Sequence, residues 1–226
     1  MKGKKLTDGS VLGNIVYFSI PYLFSYFLQI LYGLVDLFVV GQYCGVSTIT
    51  AVSIGSQIMH MLTVIIVGLA MGTTVMTAQS VGANDMKRTK TVVGNTVSLF
   101  LVQSVLLAVV LLLSVNGIVS IMSTPPEANV EPQSYLIVCF IGIPFIVAYN
   151  IIASIYRGLG DTKTPMYFIM VACVVNIVLD YVFIGAFEMG AIGVAMGLPL
   201  GLTTAALLYY FRFRKEVAER ILNKVS

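Results

Sequence analysis

The sequence predicts an all-α, polytopic membrane protein with six transmembrane helices. Of its 226 residues, 58% are hydrophobic and only 10% are charged, which is more apolar surface than a soluble core of this size can bury. A bilayer span needs ~20 predominantly apolar residues, and the chain divides into six segments of at least that length. They are Ile15–Val40, Thr48–Ala78, Val92–Val115, Ser134–Tyr156, Met166–Phe187 and Met189–Phe213.

The distribution of the 13 Lys and Arg residues predicts how these segments are oriented. With six spans, every one of these residues falls on the same side: before the first segment, in the second and fourth connections, or from Arg212 at the end of the sixth segment onward. The positive-inside rule then predicts that both termini are cytoplasmic, in a multi-pass protein of the plasma or inner membrane. The expected division is a cytoplasmic N-terminus over 1–14, a six-helix lobe over 15–213 and a cytoplasmic tail over 214–226.

Other classes of protein find no support in the sequence. The first segment is too long for a signal peptide and lacks a small-residue cleavage site, so we expect it to remain as a membrane helix. The three cysteines lie in apolar segments without metal-ligand spacing. No soluble-length segment or charge run indicates a catalytic or nucleic-acid-binding domain. We therefore expect no enzyme, no cofactor and no nucleic-acid partner.

The connections carry their own signals. The stretch Asn116–Gln133 contains STPPEANVEP, whose prolines prevent a helix from continuing. Glu188 is expected at a tight turn between the fifth and sixth segments. Asp161 completes a GxGD string of the kind found in intramembrane aspartyl proteases, but its position in a cytoplasmic connection favours a turn or helix-capping role. The tail from Arg212 onward is expected to form a short interfacial or soluble helix.

Asp36 and Asp180 are the only acidic residues within the six segments. A carboxylate at the bilayer centre costs ~2.5–3.5 kcal/mol on insertion scales, so such a group is either a polar contact between helices or an ion or proton site, and we favour the latter. Asn176 precedes Asp180 by one helical turn on the same face. Both acids are expected in the outer half of the membrane, with Tyr135 at a compatible depth. Two nearby carboxylates in a low dielectric cannot both be charged cheaply, which predicts a bound proton or cation.

A polar stripe follows the first segment at three- and four-residue steps, which places its members on one helical face. The stripe consists of Tyr22, Ser25, Gln29, Tyr32, Gly33 and Asp36. We expect Gln29 and Tyr32, together with Gln57 and His60 of the second segment, to line a cavity, although His60 would equally suit a polar contact between helices. Pro21 predicts either a static kink or a hinge in the first helix.

Small residues at four-residue spacing predict close helix packing in two segments. In the sixth segment they are Gly193, Gly197 and Gly201, and in the second they are Gly68 and Gly72.

Several strings resemble the multidrug and toxic compound extrusion (MATE) family of transporters. The string RGLGDTKTP is followed by N-x-x-x-D-Y-x-F-I and by G-A-I-G-V-A. The strings IPYLFSYFLQILYGLVDLFVVGQ and GLAMGTTVMTAQSVGAND resemble the first two helices of the family. The resemblance covers nearly the whole chain. It implies one lobe of a MATE-type secondary antiporter, which exports cationic or amphipathic compounds in exchange for protons or sodium and uses no cofactor.

The resemblance also implies a coupling site in this lobe. Its members would be Asp36, Tyr135, Asn176 and Asp180, with Pro21 as the bend in the first helix and with Na⁺, where it is the coupling ion, held at Asp36, Asn176 and Asp180. A threonine that the family often supplies from the sixth helix is replaced here by Leu198, and Thr203 or Thr204 would have to substitute from another turn. This departure weakens the case for sodium more than the case for protons.

The chain resembles only the first half of the family's twelve helices. A homodimer, a separate second six-helix lobe, and a non-transporting half-protein or fragment that assembles with a partner therefore all stay open. A lipid-linked sugar flippase of the same superfamily is a less favoured alternative. It would need basic residues in its cavity, and all 13 basic residues are predicted in connections or tails.

Overall fold

The computed structural model describes residues 10–121 and 130–225. Its helices are α1 (Val11–Tyr43), α2 (Val46–Gly82), α3 (Met86–Ile121), α4 (Val130–Gly158), α5 (Lys163–Asp180) and α6 (Gly190–Val225). Within these described ranges, six helices are long and apolar enough to cross a membrane. The predicted all-α, multi-pass architecture is therefore confirmed.

The helices extend beyond the predicted spans, because polar residues near the membrane surface join them. Lys87, Arg88 and Lys90, expected in a connection, lie in the first turns of α3, and Arg157 lies in the last turn of α4. The expected tail helix is a direct continuation of α6 as far as Val225. The proline-containing connection shortens to residues 122–129, which lie outside the described part of the chain.

Asp161 caps the start of α5, as its position in the sequence predicted. Its Oδ1 accepts hydrogen bonds from the backbone N–H groups of Lys163 (3.1 Å) and Thr164 (3.0 Å), and its Oδ2 accepts one from the Thr164 hydroxyl (2.6 Å). These bonds satisfy donors that the first turn of a helix leaves free. Glu188 lies in the turn before α6 with a φ of 54°.

The helix α4 lies at the centre of the bundle. It packs against α2, α3 and α6, and its Leu136, Phe140 and Ile143 are completely buried. The helix α1 packs mainly against α5 and makes few contacts with α2. This uneven packing leaves a space between α1 and α2 in front of α4.

Glycines bring α5 and α6 unusually close together. A Cβ atom at Gly201 would lie 2.7 Å from the backbone oxygen of Ala172, and one at Gly193 would lie 3.0 Å from the Cβ of Phe183. The predicted small-residue packing of the sixth segment is therefore confirmed. Gly68 and Gly72 do not show this packing within the described part of the chain, where no neighbouring helix places an atom within 4 Å of a Cβ built at either position.

A π-helical turn, Tyr181–Ala186, follows α5 directly. The ring of Tyr181 packs edge-on against Tyr43 at the end of α1, with ring centroids 6.3 Å apart. Such turns insert an extra residue into a helix and are frequent at functional sites. The inserted residue changes the helical phase immediately after Asp180.

We expect Gly201→Ala to destabilise the protein, because the added methyl group meets a backbone atom that cannot rotate away. Overpacking of this kind costs ~1–3 kcal/mol. Gly68→Ala is the matched control, because its methyl group enters open space and alanine favours a helix by up to ~1 kcal/mol. Labelling of the free thiols of Cys139 and Cys173, both buried, would report unfolding during a thermal ramp in detergent. A Gly201→Ala protein as stable as the parent would contradict this packing.

Candidate functional site

A cavity of about 820 Å³ lies between α1, α2, α4 and α6. Along α1 it is lined by the whole predicted stripe: Tyr22, Ser25, Gln29, Tyr32, Gly33 and Asp36. Gln57 and His60 of α2 also line it, and their side chains are exposed at its open side. The structure thus places all four residues that were expected to line a cavity around this one cavity: Gln29, Tyr32, Gln57 and His60.

Asp36 connects this cavity with a buried polar pair. It lines the cavity from α1, and its carboxyl group lies close enough to interact with the side chains of Asp180 and Asn176 on α5. Asn176 and Asp180 are both 0% exposed. Neither of them lines the cavity. Asp36 is therefore the residue that connects the cavity with Asn176 and Asp180.

The polar atoms of this cluster are left without conventional partners. Asp36 Oδ1, both carboxyl oxygens of Asp180, and the amide oxygen and nitrogen of Asn176 are buried and form no hydrogen bond of good geometry within the described residues. Buried polar groups are almost always hydrogen-bonded in native proteins, so a group of five such atoms calls for an explanation. A ligand that binds here, such as a proton or a cation, would supply the missing interactions.

Glycines on neighbouring helices hold this cluster in place. A Cβ atom at Gly197 of α6 would lie 2.6 Å from Asn176 Nδ2 and 2.7 Å from Asp180 Oδ1, so only glycine leaves room for both side chains. On the other side, the ring of Tyr135 occupies the space of a Cβ atom at Gly55 of α2. Tyr135 is 5% exposed, lines the cavity and lies within electrostatic range of Asp36.

Other residues expected near the coupling site have different surroundings. Pro21 is buried in α1 outside the cavity lining, and its carbonyl oxygen accepts a 2.8 Å hydrogen bond from the Ser25 hydroxyl. Leu198 lines the cavity. The hydroxyl of Thr203 donates to the Pro199 carbonyl (2.7 Å), and that of Thr204 is likewise bonded within α6. Neither threonine hydroxyl is therefore directed at the carboxyl pair.

Reasoning from the sequence missed three features of the site. Gly197 was assigned only to helix packing, although the carboxyl pair rests directly on it. Tyr149 of α4 was not singled out, yet it lines the cavity. Arg157 was predicted in a loop, but it lines the cavity from the last turn of α4. The prediction that all basic residues lie outside the cavity is therefore wrong, because Arg157 lines it. The helix α4 ends with Arg157 and Gly158, so extending the predicted span Ser134–Tyr156 by one residue would have included the arginine.

The cluster offers oxygen atoms to a ligand. Two carboxyl groups and one amide suit a proton or a hard cation, because such ions prefer oxygen ligands. No group of three or more His, Cys, Asp or Glu residues that could hold a metal ion occurs within 10–121 and 130–225. Asn176 therefore has to contribute to any cation site built from the cluster.

Comparison with known proteins gives consistent matches. A family model described as MatE matches residues 21–182. The probable multidrug resistance protein YpnP of Bacillus subtilis (strain 168) is 31% identical over 195 residues, which cover 86% of this chain and 44% of YpnP. The multidrug export protein MepA of Staphylococcus aureus (strain COL) is 24% identical over 205 residues, covering 91% of this chain and 46% of MepA.

Solved structures agree with these matches. A crystal structure of MATE in the bent conformation superposes with a TM-score of 0.85 at 28% identity, covering 92% of this chain and 46% of that one. An outward-facing multidrug resistance MATE family transporter of the MOP superfamily gives 0.87 at 28% identity, covering 96% and 48%. The chain spans about half the length of the relatives it matches.

We expect Asp180→Asn to raise thermal stability at pH 8, because it removes a charge that has no hydrogen-bond partner beside a second carboxyl group. A gain of about 1 kcal/mol would raise the melting temperature by roughly 2–4 °C in a protein of this size. Glu188→Gln is the control, since it removes an exposed acid from a turn. An unchanged or lowered melting temperature for Asp180→Asn, measured beside that control, would show that the carboxyl group is compensated in the folded protein.

Proposed function

The chain belongs to the MatE family, and on that basis we propose that it forms one lobe of a secondary antiporter for cationic or amphipathic drugs. The exported compound would bind in the cavity between α1, α2, α4 and α6. Protons or sodium ions that bind at the cluster of Asp36, Asn176 and Asp180 would drive this export. The proposal assigns no chemical reaction and no cofactor to the protein.

The observation that carries this proposal is the position of Asp36. It lines the cavity and also interacts with the buried Asp180. A cationic compound in the cavity and a coupling ion in the cluster would therefore compete for the same carboxylate. Competition for one charge is the simplest physical basis for exchange, because binding of either partner releases the other.

We favour the proton as the coupling ion. Leu198 stands where a threonine oxygen would be expected, and the hydroxyls of Thr203 and Thr204 are bonded within their own helix. A proton needs only one oxygen and one acceptor, whereas a sodium ion needs several oxygen ligands. The two carboxyl groups meet the first requirement without help from α6.

Protonation would act on α1 through its proline. Pro21 cannot donate a backbone hydrogen bond to the preceding turn, so α1 has a weak point 15 residues before Asp36. When the carboxyl pair is neutralised, α1 can rest closely against α5. When both groups are charged, their repulsion favours separation of the two helices. Pro21 is the proposed hinge for that movement.

A second lobe is part of the proposal, because transporters of this kind build their cavity between repeats. The exposed side chains of Gln57 and His60 mark the side of the cavity that a second lobe would cover. A second copy of this chain or a separate six-helix partner could supply that lobe. We further propose that the lobe resides in the plasma or inner membrane with both termini cytoplasmic.

We expect Asp36→Asn and Asp180→Asn each to lower ion-driven ethidium efflux at least tenfold, because neither variant can exchange a proton at the substituted site. Reconstituted vesicles with an imposed pH gradient or an imposed sodium gradient would measure the flux. Glu188→Gln should leave it unchanged. If the purified chain shows no flux, ethidium binding can test the same competition. We expect acidification to weaken ethidium binding to the parent protein but not to Asp36→Asn. Unchanged coupling in both variants would overturn the proposal.

We expect the chain to purify as a pair, either of two copies of itself or with a second lobe that is isolated with it, because its cavity is open on one side. Mass measurement in a mild detergent distinguishes a pair from a monomer. Dye flux from a preparation that stays strictly monomeric would contradict the need for a second lobe. A strict monomer without flux would instead support a half-protein that does not transport.

A further inference from the structure

Arg157 places an uncompensated positive charge in the cavity. It lies in the last turn of α4, is half-buried and lines the cavity. Its Nη2 donates a 3.1 Å hydrogen bond to the Ser154 hydroxyl. Its Nε is buried and has no hydrogen-bond partner in the part of the chain that the structure describes. A guanidinium group carries five N–H donors, so most of its donors remain available.

The acidic residue nearest to Arg157 in the sequence is already engaged. Both oxygens of Asp161 accept hydrogen bonds at the start of α5. Across the described residues, Arg157 forms no ion pair with a carboxylate. The C-terminal end of α4 favours a nearby cation. The backbone carbonyl of Arg157 itself accepts from Gly160 N–H.

An aromatic ring orients the guanidinium group. Its Cζ atom lies 5.1 Å from the centroid of the Tyr22 ring on α1. Stacking of this kind stabilises a cation over the ring face and leaves the N–H groups at the edge of the guanidinium plane free. Those edge donors form the planar fork that suits the oxygens of a phosphate or carboxylate.

Among the described residues that line the cavity, Asp36 is the only acid, and the residues near Arg157 carry hydroxyl and amide groups. Tyr149 lies within electrostatic range of Arg157, and Thr162, five residues after Arg157, also lines the cavity; both carry hydroxyl groups. Asn150 also lines it and uses its amide nitrogen on the Ile146 carbonyl (2.8 Å). Tyr22 lies 14 residues before Asp36 on α1, which corresponds to ~21 Å along a helix. The cavity therefore has an acidic end and a basic end far enough apart to act separately.

We propose that Arg157, with the hydroxyl groups of Tyr22, Tyr149 and Thr162, forms a subsite for the phosphate group of an amphiphile whose apolar part lies in the cavity. The inference rests on the proposed function only in taking this cavity as the ligand site. It does not depend on ion coupling at Asp36. The phosphate could belong to a membrane phospholipid or to a single-chain phosphorylated compound, and the two sources share the same recognition chemistry.

Native mass spectrometry of the full chain in a neutral detergent tests the subsite. The probes are octyl phosphate, dioctanoyl phosphatidylglycerol, octyltrimethylammonium and inorganic phosphate. We expect Arg157→Gln to weaken binding of the phosphate-bearing amphiphiles at least tenfold and to leave octyltrimethylammonium binding unchanged. Arg157→Lys keeps the charge but not the fork, and should give an intermediate loss.

Lys163→Gln is the matched control. The Lys163 ammonium group also stacks on a tyrosine of α1, at 4.8 Å from the Tyr17 ring centroid, but it is exposed and lies outside the cavity. This variant should bind every probe as the parent does. If the parent protein retains dioctanoyl phosphatidylglycerol more strongly than octyl phosphate, the source of the phosphate is a lipid. If it retains octyl phosphate more strongly, the source is a single-chain compound.

Four results would overturn the subsite, and the first three concern the phosphate probes. They are unchanged phosphate-amphiphile binding in Arg157→Gln, an equal loss in Lys163→Gln, and binding of inorganic phosphate in place of the amphiphiles. An equal loss of the cationic probe in Arg157→Gln would also overturn it, because that loss reports a damaged cavity. The proposed antiport is tested separately by Asp36→Asn, which should leave binding of the phosphate probes intact.

Discussion

The contact between the carboxyl groups of Asp36 and Asp180 is the constraint on which the rest of this structure depends. Two carboxylates in an apolar interior repel each other strongly. Among the described residues, neither Asp36 Oδ1 nor either carboxyl oxygen of Asp180 has a hydrogen-bond partner of good geometry. We propose that their ionisation governs how closely α1 approaches α5. Gly197 makes the arrangement possible, because no larger residue would leave space for Asp180 and Asn176 beneath α6. We expect this arrangement to lower the stability of the fold, as functional sites commonly do.

The cavity is polarised along α1. Asp36 contributes a carboxyl group toward one end, and Arg157 contributes a guanidinium group at the other. Pro21 lies next to Tyr22, the residue on which Arg157 stacks, so the proposed hinge and the basic end of the cavity are adjacent. A bend at Pro21 would move the aromatic ring that orients the guanidinium group. In this proposal one helix couples the state of the acidic cluster to the geometry of the basic subsite.

The cavity is open where α1 and α2 lie apart. The helix α4 is enclosed by α2, α3 and α6, and its inner face is completely buried. By contrast, α1 and α2 contact each other little and present Gln57 and His60 at an exposed surface. The relatives that match this chain are about twice as long. A second lobe at this surface would convert an open groove into a closed binding site, which is the role proposed for it.

Composition and the spacing of charged residues determined the fold class and the number of helices, because ~20-residue apolar runs have few alternatives in a membrane. Helical spacing also selected Asp36, Asn176 and Asp180, since a carboxyl group in an apolar segment is conspicuous in the sequence itself. Only the tertiary structure decided that Asp180 is sealed behind the cavity and that Arg157 points into it. Both depend on the distance between helices and on where a helix ends, and a residue's own sequence neighbourhood does not encode either of these.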